Sequence, residues 1–369
     1  MANEFITVKN IARQILPRLI ENLVFPNLIH KDYSNDFVQG QGATIQVKKP
    51  VMLDAKDFNE AQGVETQDVK EESVEVTLDK LATVDIEFGA IQRATNVDDL
   101  NRLFLEPAAV ALAEKINRDG LILYKDIPYT AGTAGTTPSA LTDLAAVRKV
   151  LNANKVPVAG RNAVWDTEAD AAFTTIPAIV NAEKSGSTAA LREGSIGRIF
   201  GLDNYMSQAV CQHKKGTLSA EVKPKASTPA GSTKLTLAAA TVTGTLLKGD
   251  ILTILKKNYV VTEDATADSN EITVNIYPAL QDAVNTNTAV AVMGDHTANL
   301  AFNPNAFAFV TRPLVAPAGV EAYTTAYNNI SLRVVRGYDM KYKKEMLSMD
   351  VLYGYIFNLN MLSGGFAEA

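Results

Sequence analysis

Apolar residues Ile11, Ile15, Leu19 and Leu23 recur at helical spacing near the start of the chain, which predicts a helix with one face toward a core. Pro17 lies inside that run and has no amide hydrogen to donate, so the helix is expected to kink or restart there and leave a loose, broken arm. Over residues 43–51 the pattern shifts to a period of two. Ile45, Val47 and Val51 alternate with polar neighbours, as do Val74, Val76 and Leu78 and then Val84, Ile86 and Phe88, and each run predicts a strand. The polar stretch 54–70 between them contains Gly63, and the simplest geometry is a long antiparallel hairpin with an exposed loop.

A second helical stripe, Leu103, Val110, Ala113, Ile116 and Leu121, makes residues 98–124 a predicted rod. Pro107 fits best in a first helical turn, so either a short helix precedes a new one beginning near Glu106, or a single long helix bends there. After a Gly-, Thr- and Pro-rich loop at 130–138, an amphipathic helix at 141–152 turns Leu144, Val147, Val150 and Leu151 inward, and Val164 and Trp165 begin a strand. Residues 330–334 and 349–358 predict closing strands.

Composition changes abruptly after Cys211. Residues 213–297 hold fourteen threonines, no arginine and two aromatics, Tyr259 and Tyr277, which marks a separate all-β module with strand-like segments at 234–237, 251–255, 259–262 and 271–277. Its borders fall inside the chain, so the parent domain is expected to stop near Val210 and resume near Asn299. With 369 residues there is room for two or three domains in all. Hydrophobic residues at 47% and charged residues at 21% fit folded domains and exclude collagen-like, disordered and membrane-spanning chains.

Thirty-five basic against forty-one acidic side chains give a net charge of -6, without the cationic balance of a dedicated nucleic-acid binder. The acidic excess concentrates in residues 54–87, eleven acidic against three basic, which reads as a solvated face or a docking surface. A single cysteine, Cys211, cannot form an internal disulfide and suits a reducing cytosol. The opening MANEFITVKN has no export-signal pattern, and no apolar run approaches the roughly 18 residues of a membrane helix.

Candidate chemistry is sparse. His30, His213 and His296 are the available imidazole bases, no serine sits in a G-x-S-x-G elbow, and the glycine motifs that cradle phosphates are missing, so no catalytic site is expected. Cys211 and His213 are two potential metal ligands where a site needs more, and they read as a buried structural thiol beside a surface histidine. Asp264, Asp268 and Asn270 lack the order of a calcium loop and read as a hairpin turn. Neither metal nor cofactor is expected. What remains unusual is a set of projecting parts with little core of their own, which proteins commonly bury against further copies of themselves.

Several fragments, taken in order, carry a resemblance. They are Ile11-Ala12-Arg13 through Asn22-Leu23-Val24-Phe25-Pro26 to Asp32-Tyr33-Ser34; Gly42-Ala43-Thr44-Ile45 with Lys48-Lys49-Pro50; and Glu106-Pro107-Ala108-Ala109 with Leu112-Ala113. Further along come Val156-Pro157 with Arg161 and Val164, Gly194 with Ile196-Gly197, Gly201 and Tyr205-Met206-Ser207, and Leu300-Ala301-Phe302 with Asn305-Ala306-Phe307-Ala308. Ser331-Leu332-Arg333-Val334, Tyr338-Asp339 and Asp350-Val351-Leu352-Tyr353-Gly354 complete the series. Together they resemble the major coat (capsid) proteins of tailed double-stranded DNA bacteriophages, particularly the short-tailed-phage branch of the Hong Kong 97 coat fold with an inserted β-domain.

The resemblance implies an α+β Hong Kong 97-like fold. Its parts are an N-terminal arm at 1–32, an extended loop (β-hairpin) with adjoining peripheral strands at 33–95, and a peripheral domain with a spine helix at 96–130. An axial domain begins at 131–212, the inserted β-domain occupies 213–297, and closing strands of the axial and peripheral domains fill 298–369. Asn358-Leu359-Asn360-Met361 departs from the more usual basic, proline-containing ending. The implied function is structural, not enzymatic: self-assembly into pentamers and hexamers of an icosahedral head that encloses double-stranded DNA without reading its sequence. The implied partners are other copies of the chain, then scaffolding and portal proteins, with no membrane; the implied location is the virion, after assembly in the host cytoplasm. The inserted domain is expected to serve folding and stability, and Lys–Asn crosslinking, known in relatives of the fold, stays open because lysines lie in the ribbon. The alternative is a surface adhesin or glycan-binding β-module, for which the sparse aromatics offer little platform. In the coat reading, the charge runs suggest that Glu71, Glu72 and Glu75 dock on Arg333, Arg336, Lys341, Lys343 and Lys344 of a neighbouring copy, or that both runs are solvated faces whose exposed pairs are worth about 0–1 kcal/mol each.

Overall fold

The computed structural model describes residues 8–31, 44–48, 73–89, 105–181, 186, 189–219, 221–342, 344–357 and 364–365. The chain divides into two units, one built from 1–22, 29–113 and 305–361 and the other from 23–28, 114–304 and 362–369.

In the first unit Val8–Asn22 is a single helix that runs through Pro17, which corrects the expected break. Val8, Ala12, Ile15, Leu16 and Leu19 are buried along one face while Pro17 and Arg13 are exposed, so the carbonyl that loses its amide partner lies on the outer side, where water can satisfy it. The apolar stripe packs against the strands Glu321–Tyr327 and Ile330–Asp339. This segment is therefore docked rather than loose. Leu19→Ala is expected to destabilise the unit by about 2–5 kcal/mol, read from urea unfolding, because the side chain is fully buried. A loss near zero would mean that the helix does not hold to the sheet.

The sheet it covers is organised around the fourteen-residue strand Lys344–Phe357. Lys80–Gly89 pairs along one edge, from Lys344 opposite Gly89 to Tyr353 opposite Lys80. Ile330–Asp339 and then Phe307–Arg312 share the opposite edge, and Glu321–Tyr327 pairs outside Ile330–Asp339. Leu347, Met349, Val351 and Tyr353 are buried at alternate positions, as a strand with one face on a core requires. The predicted strand at 84–88 thus belongs to this sheet. The ribbon itself is Thr44–Lys48 antiparallel to Ser73–Thr77, with Ile45 opposite Val76, and the loop expected at 54–70 lies outside the described residues. At its root Gly354 is required, because a Cβ there would sit 2.3 Å from the Thr77 carbonyl oxygen.

The helix Glu106–Leu121 has Pro107 in its first turn, so of the two readings a helix starting at Glu106 is observed; residues 91–104 lie outside the described set. Ala113, Ile116 and Leu121 of the predicted stripe are buried, together with Ala108, Ala109 and Leu112, whereas Val110 is 47% exposed.

In the second unit Arg161–Trp165, buried at all five positions, pairs in parallel with Leu202–Met206 and antiparallel with Leu300–Phe302. Val164 and Trp165 close this strand rather than begin it, since Asp166 caps the next helix, Thr167–Thr174, by accepting from the amides of Glu168 and Ala169. Leu144, Val147 and Leu151 of the helix Leu141–Ala153 share one core with Trp165, Phe173 and Leu202.

Residues 223–292 form a six-stranded sheet in the order Val290–Val292, Ile251–Ile254, Lys257–Val261, Glu271–Tyr277, Lys234–Ala238, Lys223–Pro224. The buried residues of its core all come from 222–290, among them Leu235, Leu252, Val261 and Val274. The turn expected near Asp268 is a two-residue hairpin. Asp268 and Glu271 exchange both backbone hydrogen bonds, and Ser269 and Asn270 take positive φ of 53° and 66°.

Candidate functional site: a paired charge run and a buried histidine neck

The candidate contact residues separate once placed. Glu75 is exposed on its ribbon strand, opposite Gln46, whereas Glu71, Glu72 and Lys343 lie outside the described residues. Arg333 stands directly across from Asp350 and donates to its Oδ2 through Nε at 2.9 Å and Nη2 at 2.5 Å, with Nη1 donating to the Val315 carbonyl at 3.0 Å. Asp350 is 4% exposed and also accepts from the Ser348 hydroxyl at 2.8 Å. Arg336 donates to Glu345 and lies 3.9 Å from Glu321, and Lys344 pairs with Glu87. Lys341 is exposed, with its ammonium 5.1 Å from the centre of the Tyr342 ring, and makes no ion pair among the described residues. Strand register thus engages three of the five basic candidates inside their own sheet.

The structure also assembles a group that the sequence leaves scattered. The two-residue strands Gln212–His213 and His296–Thr297 pair antiparallel where the chain enters and leaves the Thr-rich sheet, with His213 directly opposite His296. Both histidines are buried, which corrects the expectation of a surface His213, and their rings lie 4.9 Å apart. His213 Nε2 donates to Asp250 Oδ1 at 2.8 Å, and its Nδ1 lies 2.8 Å from the Tyr124 hydroxyl. Asp250, 1% exposed, further accepts from the amides of Gly216 at 3.0 Å and Leu247 at 2.8 Å. Gly249 closes the contact: with φ of +99°, a Cβ there would meet Lys125 Cγ at 2.8 Å and His213 Cε1 at 3.2 Å.

This chain of Tyr, His and Asp has the order of a nucleophile, a base and an orienting carboxylate, but its electrostatics oppose that use. Burial, and then the nearby Cys211 and Asp250, push the Tyr124 phenol well above its ordinary range, so it holds its proton. Burial also pushes the half-buried Cys211 thiol up, against Arg118 and Lys125, which suits an inert thiol. Among the described residues no group of three or more His, Cys, Asp or Glu side chains is placed to hold a metal, and no helix is long and apolar enough to cross a membrane. The cluster is suited to fastening chain segments together.

No protein-family model and no curated protein matches the sequence. Solved structures do match it. A chain from Mycobacterium phage Che8 aligns with 93% of this chain and 90% of its own length, at 16% identity and a TM-score of 0.56. The capsid structure of the Cyanophage P-SCSP1u aligns over 94% of this chain and 88% of that one, at 11% identity and a TM-score of 0.51. This is the phage capsid-protein fold. The expected α+β coat architecture, with a β-rich domain added, is therefore what the chain adopts. Coverage above nine-tenths means that the likeness to the coat fold is not confined to one element.

Proposed function

We propose that this chain is a structural major capsid protein, not an enzyme, whose copies associate into pentamers and hexamers of an icosahedral phage head around double-stranded DNA. The observation that carries the reading is the coat fold matched over more than nine-tenths of the chain. The ribbon supports it: a two-stranded pair has too little core to be stable alone and gains most when neighbours cover it. Net charge of -6 suits a shell that encloses DNA without gripping it. Scaffolding and portal proteins are the further partners in this reading, with assembly in the host cytoplasm and residence in the virion. In the adhesin alternative the Thr-rich sheet would present a recognition face, yet Tyr259 is buried in its core and Tyr277 is half-buried.

Electron microscopy of the purified chain tests the proposal. Uniform closed particles tens of nanometres wide are expected, and a dispersed monomer under all assembly conditions overturns it. Within that lattice the acidic ribbon residues Glu71, Glu72 and Glu75 dock on a neighbour's basic run, for which Lys341 offers an exposed charge. Reversing Glu71 and Glu72 to lysine should lower particle yield most at low salt, where screening is weakest. Equal yields at every salt concentration would remove the docking contact and leave the capsid reading standing.

A further inference from the structure

The histidine neck is not needed to explain a coat fold, and its construction is specific. One two-residue ladder joins the entry and exit strands of the Thr-rich sheet, and each strand contributes one buried histidine to it. His213 bridges the sheet, through Asp250, to Tyr124 in the short 3-10 turn Ile122–Asp126 that follows the helix Glu106–Leu121. His296 donates its Nδ1 hydrogen to the Gly294 carbonyl at 2.9 Å, so an added proton must go to Nε2. We propose that this neck is an acid-operated latch: protonation of His296 against His213 opens the two-strand ladder and releases the Thr-rich sheet from its Tyr124 anchor.

The groups packed around the pair decide the sign. Asp295 beside His296 in sequence and Asp250 from the Thr-rich sheet attract a charge on His296, and His213 from the opposite strand repels it. Both carboxylates are already engaged. Asp295 accepts from the Lys215 amide at 2.9 Å, and Asp250 from Gly216, Leu247 and His213. From the 3-10 turn Tyr124 bonds His213, Lys125 lies against Gly249 and Asp126 pairs with Lys248, while Cys211 of the entry segment lies under the influence of Arg118, Lys125 and Asp119. Burial dominates and lowers His296 below its ordinary 6.5. An opened neck returns it to that ordinary value and binds more protons. The closed neck is therefore favoured above pH 6.5 and loses ground as pH falls through it, by up to about tenfold in the opening equilibrium per pH unit until the folded value is passed.

Hydrogen exchange of the full chain, followed by mass spectrometry at pH 7.5 and 5.5 and corrected for intrinsic exchange, reads this directly. Amides of residues 211–216 and 294–298 should lose protection several-fold at the lower pH while those of 251–261 keep theirs, and His296→Phe should abolish the difference. Unchanged protection in the wild type, or the same loss in the variant, overturns the latch. Should His296→Phe fail to fold, the wild-type imidazole resonances decide: His296 titrating below 6.5 in the folded chain supports the latch, and titration at or above 6.5 overturns it.

Discussion

Asp250→Ala is expected to cost the second unit about 3–5 kcal/mol, enough to abolish much of a typical domain's stability. The carboxylate is 1% exposed and gathers the amides of Gly216 and Leu247 and the His213 imidazole, three donors from two separate stretches of chain. Each buried donor left without an acceptor costs about 1–3 kcal/mol, so the loss exceeds what the missing side-chain volume alone would give. Asp250→Asn keeps one acceptor oxygen and should lose roughly half as much. Trp165 belongs to the same unit and is fully buried, so its fluorescence during urea unfolding reports the change. A loss below about 1 kcal/mol for the alanine variant would mean that water replaces the carboxylate and that the neck is not a buried hub.

A loss of similar size, about 3–5 kcal/mol, is expected for Arg333→Ala in the first unit, because it takes the paired charge from the nearly buried Asp350, whose other oxygen accepts from the Ser348 hydroxyl. Replacing both partners, Arg333→Met with Asp350→Leu, should recover most of the stability, since neither an orphaned charge nor a cavity remains. A double-mutant cycle on thermal unfolding gives the coupling between the two positions. Additive single losses would show that the pair contributes nothing jointly. The comparison also separates two roles of Arg333: a residue that fastens its own sheet lowers the stability of the isolated chain, whereas one used only between copies alters particle yield and leaves unfolding unchanged.

Much of the fold was legible because its determinants are local. The strands at 234–238 and 271–277 announce themselves by one-sided alternation, and the turn at Asp268 by residues that accept positive φ. Pro17 misleads because a proline's lost hydrogen bond is a local penalty, while the gain from burying Val8, Ala12, Ile15 and Leu19 on a sheet more than 300 positions away in sequence is not visible in the helix itself. Val110 misleads for a related reason: periodicity locates an apolar stripe but not the neighbour that selects which part of it is covered. The histidine neck left one trace, since two of the three histidines bracket the Thr-rich segment at the borders where composition changes.

Most of the helices and strands, the separate character of the Thr-rich segment and, through ordered fragments, the likeness to a coat protein are readable from the residues alone. Side-chain period and turn chemistry act over a few neighbouring residues and can be read in one dimension. Which charges meet emerges only in the folded chain. Arg333 reaches Asp350 through strand register, and His213 joins Tyr124 and Asp250 across 89 and 37 positions of chain. Such encounters depend on strand order and burial, which long-range packing sets and no local pattern encodes.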